Sequence, residues 1–77
     1  MDSAHLRHPT CSVVIPVYNS QQILPMLVER LGKVLPGLTA CFEVILVNDG
    51  SQDESWRVIS GLVERYRWIK GINLMRN

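Results

Sequence analysis

Two short, continuous apolar runs, each followed by a polar turn and then an apolar stripe at helical spacing, leave this chain few possible folds. Cys11 to Val17 reads Cys-Ser-Val-Val-Ile-Pro-Val, and Phe42 to Val47 reads Phe-Glu-Val-Ile-Leu-Val. Runs of this length without polar alternation are the pattern of strands buried on both faces, as in a parallel sheet. Pro16 has no N–H for a ladder bond, so pairing is expected to loosen toward the end of the first run.

The first run leads through Tyr18-Asn19-Ser20 into a segment where Leu24, Leu27, Val28, Leu31 and Leu35 recur at three- and four-residue steps. That spacing predicts an amphipathic helix. Ser20 is the candidate N-cap, Pro25 is tolerated near the first turn, and Pro36-Gly37 is expected to stop the helix. Asn48-Asp49-Gly50-Ser51 reads as a turn after the second run. A second helix follows, with Trp56, Ile59, Leu62, Val63 and Tyr66 on its buried face. Ser51 with Glu54 forms a capping-box pattern, and Asp53 is the alternative cap. Ile69 to Met75 reads as a weaker third strand before Arg76-Asn77.

The order β-α-β-α-β implies an α/β fold with parallel strands and right-handed crossovers, one half of a doubly wound nucleotide-binding architecture. Composition agrees. With 77 residues, 47% hydrophobic and 19% charged, the chain is too apolar for a disordered segment and fits one domain at most. A net charge of +1 lacks the basic excess of a nucleic-acid binder. No apolar run approaches the roughly 18–20 residues of a bilayer span. Residues 1–10 are polar, without a signal-peptide core, and read as a flexible tail. His5, His8 and Cys11 are too loosely spaced for a metal site. Cys11 and Cys41 are expected to be reduced, partly buried thiols of a cytoplasmic protein.

Ligands of open α/β sheets bind beyond the carboxyl ends of the strands. Pro16-Val17-Tyr18-Asn19, Asn48-Asp49-Gly50-Ser51 and Arg76-Asn77 meet there. Tyr18 offers a face for base stacking, and Asp49 an acceptor for a base N–H or a ribose hydroxyl. Gly50 lets the backbone pass close to a ligand, and Arg76 is a cation for a diphosphate. Each residue also has a structural reading: Tyr18 as edge packing, Asp49-Gly50 as an ordinary turn, Asp53 and Glu54 as helix-start residues, Trp56 and Trp68 as core or rim. The functional reading gains from their convergence on one sheet edge. No G-x-G-x-x-G follows the first strand and no P-loop Lys-Ser/Thr is present, which argues against a dinucleotide site and against ATP or GTP hydrolysis.

Ser12-Val-Val-Ile-Pro-Val-Tyr-Asn19, then Val47-Asn-Asp-Gly-Ser-Gln-Asp53 and the closing Leu74-Met-Arg-Asn77, resemble the start of family 2 glycosyltransferases. The Asn-Asp-Gly-Ser-x-Asp form and the Arg-Asn close are most similar to the polyprenyl-phosphate hexose transferases (dolichyl- or undecaprenyl-phosphate mannosyl- and glucosyltransferases). The resemblance implies a Rossmann-like half of a GT-A type nucleotide-diphospho-sugar transferase domain spanning residues 11–77. It implies that Pro16, Val17, Tyr18 and Asn19 line the base and ribose, with Tyr18 packing on the base. Asp49 would hydrogen-bond the base, and Arg76 would lie near the nucleotide. It further implies inverting transfer of a hexose from a UDP- or GDP-sugar to a polyprenyl phosphate, with Mg²⁺ or Mn²⁺, in cell-envelope glycan or glycolipid synthesis at the cytoplasmic face of the membrane.

Two positions depart from the family pattern. Ser20 stands where many relatives carry Glu, and Asn48 replaces the first Asp of the commoner Asp-Asp-Gly-Ser. The family's Asp-x-Asp metal motif and catalytic base are absent from the chain, so no catalytic or metal-ligating residue is assigned, and the chain alone is expected to be an inactive part of the enzyme. The alternative is a non-catalytic nucleotide-binding or interaction module of the same fold. Either way the first strand is expected to present an apolar sheet edge prone to self-association.

Overall fold

The computed structural model describes residues 11–74. The expected N-terminal tail, Met75 and Arg76 lie outside the described residues. The elements are β1 (Cys11–Val17), α1 (Leu24–Leu38), β2 (Phe42–Asp49), α2 (Ser55–Arg65) and β3 (Ile69–Leu74). The three strands form one parallel sheet in the order β1-β2-β3. The predicted element order and the α/β class are therefore realised. The sheet begins where Cys11 pairs with Phe42, and Asn48 is flanked in register by Val17 and Asn73.

Two crossovers running in the same direction across the sheet place both helices on one face. Pleating sends alternate residues to that face. Val13, Ile15 and Val17 of β1, Val44 and Leu46 of β2, and Ile69 of β3 pack there in one core with Leu24, Val28 and Leu35 of α1 and Ile59 and Leu62 of α2. Gly71 sits under α2, where a Cβ would lie 2.8 Å from Ile59 Cγ2.

The opposite face is uncovered, and this corrects the reading of strands buried on both faces. Ser12, Val14 and Pro16 of β1 are exposed, as are Ile72 and Leu74 of β3. Apolarity marked strand positions correctly but did not show which face the two helices would cover. At the start of this open face the Ser12 hydroxyl donates to Glu43 Oε2 at 2.6 Å, and Lys70 Nζ lies 3.2 Å from Glu43 Oε1. The Ser12 hydrogen bond, followed by those from Lys70, holds the Glu43 carboxyl below its ordinary range. At the same end of the sheet Trp68 packs edge-on against Phe42 at 5.3 Å between ring centroids and lies 5.2 Å from Tyr66. Trp68 is thus a packing residue, as expected.

Helix boundaries depart from expectation for local reasons. α1 continues through Pro36 and Gly37 to Leu38. A proline in the last turn forfeits only its own N–H bond, and the Thr39 N–H still closes the helix on Leu35 O at 3.0 Å. Pro25 sits in the first turn, where its missing N–H costs nothing. The N-cap is Ile23, without a side-chain bond, so the assignment of Ser20 fails. The Ser20 carbonyl does accept the Ile23 and Leu24 N–H groups, but its hydroxyl donates to Tyr18 O at 2.8 Å.

The turn expected at Asn48-Asp49 is the end of β2. α2 begins at Ser55 with Glu54 as N-cap, and the Ser51–Glu54 capping box does not form. Ser55, Ile59 and Leu62 are its buried residues. Val63 is 37% exposed, and Tyr66 lies past the last helical residue, so both depart from the predicted buried face.

Candidate functional site

The strands end in two loops, and the side chains of each loop bind the backbone of the other. The Asn19 N–H donates to Ser51 Oγ at 2.9 Å, and the Gln52 N–H donates to Asn19 Oδ1 at 2.8 Å. The Ser20 N–H donates to Ser55 Oγ at 2.8 Å, and the Gln21 N–H to Asp53 Oδ2 at 3.2 Å. The Glu54 N–H returns a bond to Gln21 Oε1 at 2.8 Å. Asp53 Oδ1 also accepts the Ser55 N–H at 2.9 Å, the local helix-start bond that made Asp53 a candidate cap. The capping box fails because Ser51 Oγ is engaged across the gap rather than along its own segment.

This two-way latch needs unusual backbone at two positions. Asn19 has φ 46° and Gly50 has φ 72°. Both lie in the left-handed region, which Gly adopts freely and Asn tolerates best among residues with a Cβ. The latch therefore accounts for several polar residues of the sequence motifs. Asn19, Ser51 and Asp53 hold loops together.

Partial burial pushes the Asp53 carboxyl up, but the Ser55 hydroxyl and the Ser55 and Gln21 N–H groups together hold it below its ordinary value. A carboxyl whose folded value is depressed stabilises the fold above its unfolded pKa and loses that contribution as pH falls through the folded value. Melting temperatures recorded from neutral pH to about pH 3 should therefore fall less steeply for Asp53→Asn than for the parent chain. Parallel curves would show that the latch does not depend on this charge. Glu43 titrates in the same direction and is unchanged in both proteins, so it cancels from the comparison.

Over the carboxyl ends of β2 and β3 lies a cleft of about 780 Å³, lined by Tyr18, Asn48, Asp49, Gly50, Ser51, Gln52, Trp56, Asn73 and Leu74. Tyr18 is 58% exposed. An aromatic face and a carboxylate thus share one open hollow, suited to a flat ring bearing N–H donors. A smaller neighbouring hollow of about 440 Å³ is lined by Asn19, Ser20, Gln21, Gln22, Ile23 and Asp53.

Of the residues singled out from sequence, Tyr18 and Asp49 line the main cleft. Asn19 lines the neighbouring hollow and belongs to the latch. Val17 is buried in the core, and Pro16 lies on the open face of the sheet. Arg76 lies outside the described residues. Asn48 lines the cleft with the rest of its segment, and Trp56 and Asn73 join it there without having been assigned to the site from sequence. Trp56, read as core or rim, is half-buried and lines the cleft from the first turn of α2. Asn48 and Asn73 were read as turn and strand. Their signal was a polar residue at the last inward-facing position of an otherwise apolar strand. Among the described residues no three His, Cys, Asp or Glu side chains are grouped to hold a metal ion. The described residues therefore do not by themselves fit a divalent-metal site.

Residues 12–77 match the family profile described as glycosyl transferase family 2. An uncharacterized glycosyltransferase of Synechocystis sp. is 42% identical over 66 residues, covering 86% of this chain and 21% of that protein. An undecaprenyl-phosphate 4-deoxy-4-formamido-L-arabinose transferase of Serratia proteamaculans is 48% identical over 54 residues, covering 70% of this chain and 17% of the relative. The enzyme of the same name from Yersinia enterocolitica is 49% identical over 49 residues, 64% of this chain and 15% of the relative. The chain thus spans about a fifth or less of the length of these relatives.

Proposed function

The chain belongs to glycosyl transferase family 2, and on that premise we propose that its cleft binds the nucleoside diphosphate of a sugar-nucleotide donor. The observation that carries this reading is the placement of Tyr18 and Asp49 around one cleft at the carboxyl edge of a parallel sheet. Tyr18 stacks on the base, and Asp49 accepts a base N–H. The glycine turn at Gly50 lets the backbone approach the ligand. Residues 11–77 are then the nucleotide-binding half of the transferase domain.

The donor is a UDP- or GDP-sugar, since uracil and guanine both present a ring N–H to a carboxylate. The acceptor is a polyprenyl phosphate, in keeping with the names of the undecaprenyl-phosphate transferases that the chain resembles. Such an acceptor places the whole enzyme at a membrane, although no helix among the described residues is long and apolar enough to cross one. Inverting transfer needs a base to deprotonate the acceptor. Asp49 is the one carboxylate lining the described cleft and is engaged with the nucleotide in this reading. The described residues therefore bind the donor and leave the chemical step to groups outside them.

Calorimetric titration of the 77-residue chain with UDP and with GDP tests the reading. Saturable one-site binding is expected for at least one of them. It should weaken about 5- to 150-fold in Tyr18→Ala, the equivalent of about 1–3 kcal/mol of stacking. Absence of saturable heat with both nucleotides overturns it.

A further inference from the structure

The inward-facing positions of the three strands are apolar or glycine until the last layer. On β2 and β3, Val44, Leu46, Ile69 and Gly71 give way there to Asn48 and Asn73, while β1 keeps Val17 beside them. These two residues are register partners on adjacent strands. Asn48 is only 4% exposed, while Asn73 is exposed at the mouth of the cleft. The Asn48 Nδ2 group donates to Asn73 Oδ1 at 2.8 Å. Asn48 Oδ1 is buried without a hydrogen-bond partner.

A buried carbonyl oxygen left without a donor is destabilising, and native structures retain few of them. Were the pair there only to join two strands, an apolar pair would fill the layer without that penalty. The bond between the carboxamides also has a direction. It occupies Asn73 Oδ1 and leaves the Asn73 Nδ2 donors to face whatever occupies the cleft. Below them sits an acceptor that lacks a donor. Asp49, the next residue of β2, adds a second acceptor to the same cleft.

We propose that the Asn48–Asn73 carboxamide pair determines base specificity, Asn73 Nδ2 donating to a base carbonyl and Asn48 Oδ1 sharing the adjacent base N–H with Asp49. The inference rests on the reading of the cleft as a nucleotide site and adds to it the residues that choose the base. The complementary edge is a lactam, an N–H beside a carbonyl, as in uracil and guanine. Cytosine and adenine present the reverse order, a ring acceptor beside an amino group. With the ribose and diphosphate fixed, that order sets an amino donor against Asn73 Nδ2 and a ring nitrogen against acceptors. Asn73 is exposed, so its side chain can swing toward the base carbonyl and open a path to Asn48 Oδ1.

The test is a ratio of affinities. UDP and CDP carry the same charge, as do GDP and ADP, so any uniform electrostatic change cancels within each pair. The parent chain should favour UDP over CDP, or GDP over ADP, by at least about tenfold, the weight of one directed hydrogen bond to a buried group. Asn73→Asp keeps an acceptor for Asn48 Nδ2 but removes both donors. It should cut that ratio at least about fivefold while the melting temperature stays close to the parent value. A variant that weakens both members of a pair equally overturns the specificity role and leaves the donor site standing. So does a parent chain that binds nucleotides without preferring lactam bases. A parent chain that binds none of the four overturns the donor-site reading and this inference with it. Should Asn73→Asp unfold, Asn73→Ser supplies the same comparison, because a hydroxyl is too short to reach the base carbonyl.

Discussion

Gly71→Ala is expected to destabilise the fold by about 2 kcal/mol, within the range for forced overpacking. The added Cβ would lie 2.8 Å from Ile59 Cγ2, 3.3 Å from Val63 Cγ2 and 3.4 Å from Trp56 Cζ3. The first of these distances cannot be accommodated without movement. Ile59 is fully buried and β-branched, so it has no alternative rotamer into which to retreat. α2 must then lift from β3. In a domain of this size about 2 kcal/mol corresponds to a melting point lower by roughly 8–16 °C. Gly61→Ala supplies the opposite sign. Gly61 is exposed in the middle of α2, and nothing lies within 4 Å of an added Cβ. Alanine there should raise stability by about 0.5–1 kcal/mol by removing the entropy cost of glycine in a helix. Thermal melts of the two variants side by side check the packing of α2. A neutral Gly71→Ala would mean that α2 does not pack directly on Gly71.

Asp49→Ala is expected to weaken nucleotide binding by about 10- to 150-fold, the equivalent of the roughly 1.5–3 kcal/mol of a hydrogen bond to a charged group. The expectation depends on the nucleotide reading of the cleft. Asp49 is the last residue of β2, held at the rim of the cleft by the two residues that follow. Gly50 turns the chain in the left-handed region, and Ser51 is tied to the Asn19 N–H. Its position is therefore set before a ligand arrives, which limits the ordering cost of binding. Asp49→Asn keeps the shape and one acceptor, so its loss should be smaller than that of Asp49→Ala. Calorimetry with UDP and GDP measures both, and melting curves distinguish a lost contact from a lost fold. Affinities within twofold of the parent for both variants would remove Asp49 from the site.

The element order was legible because it rests on periodicity, which each segment carries by itself. Val44 and Leu46 in the core and Leu24, Val28 and Leu35 along one helical stripe follow from that alone. The side of the sheet that would be covered was not legible. Val14 and Ile72 are as apolar as Val13 and Ile69, and the difference between them comes only from where two crossovers lie. Helix starts were misread for a related reason. Ser20, Ser51 and Glu54 are good capping residues in a local reading, but partners more than thirty residues away engage Ser20 N–H, Ser51 Oγ and Glu54 N–H. The place of Tyr18 and Asp49 at the cleft was legible because aromatic and acidic residues at strand ends stand out. The pairing of Asn48 with Asn73 was not, since an asparagine near a turn has a ready local explanation. Only their register across β2 and β3 shows them to be a pair.

The order of strands in the sheet repeats their order in the chain. Among the described residues each strand therefore docks on one already present, and no pairing waits for a distant segment to return. The β1–β2 hydrogen bonds can form as soon as residues up to Asp49 have left a ribosome, well before β3 exists. Such a topology suits stepwise, N-terminal-first assembly during synthesis. Tyr18 and Asp49 take their places in the first step. Asn73 arrives only with β3, so the pair proposed to choose between bases is completed one step after Tyr18 and Asp49 are in place.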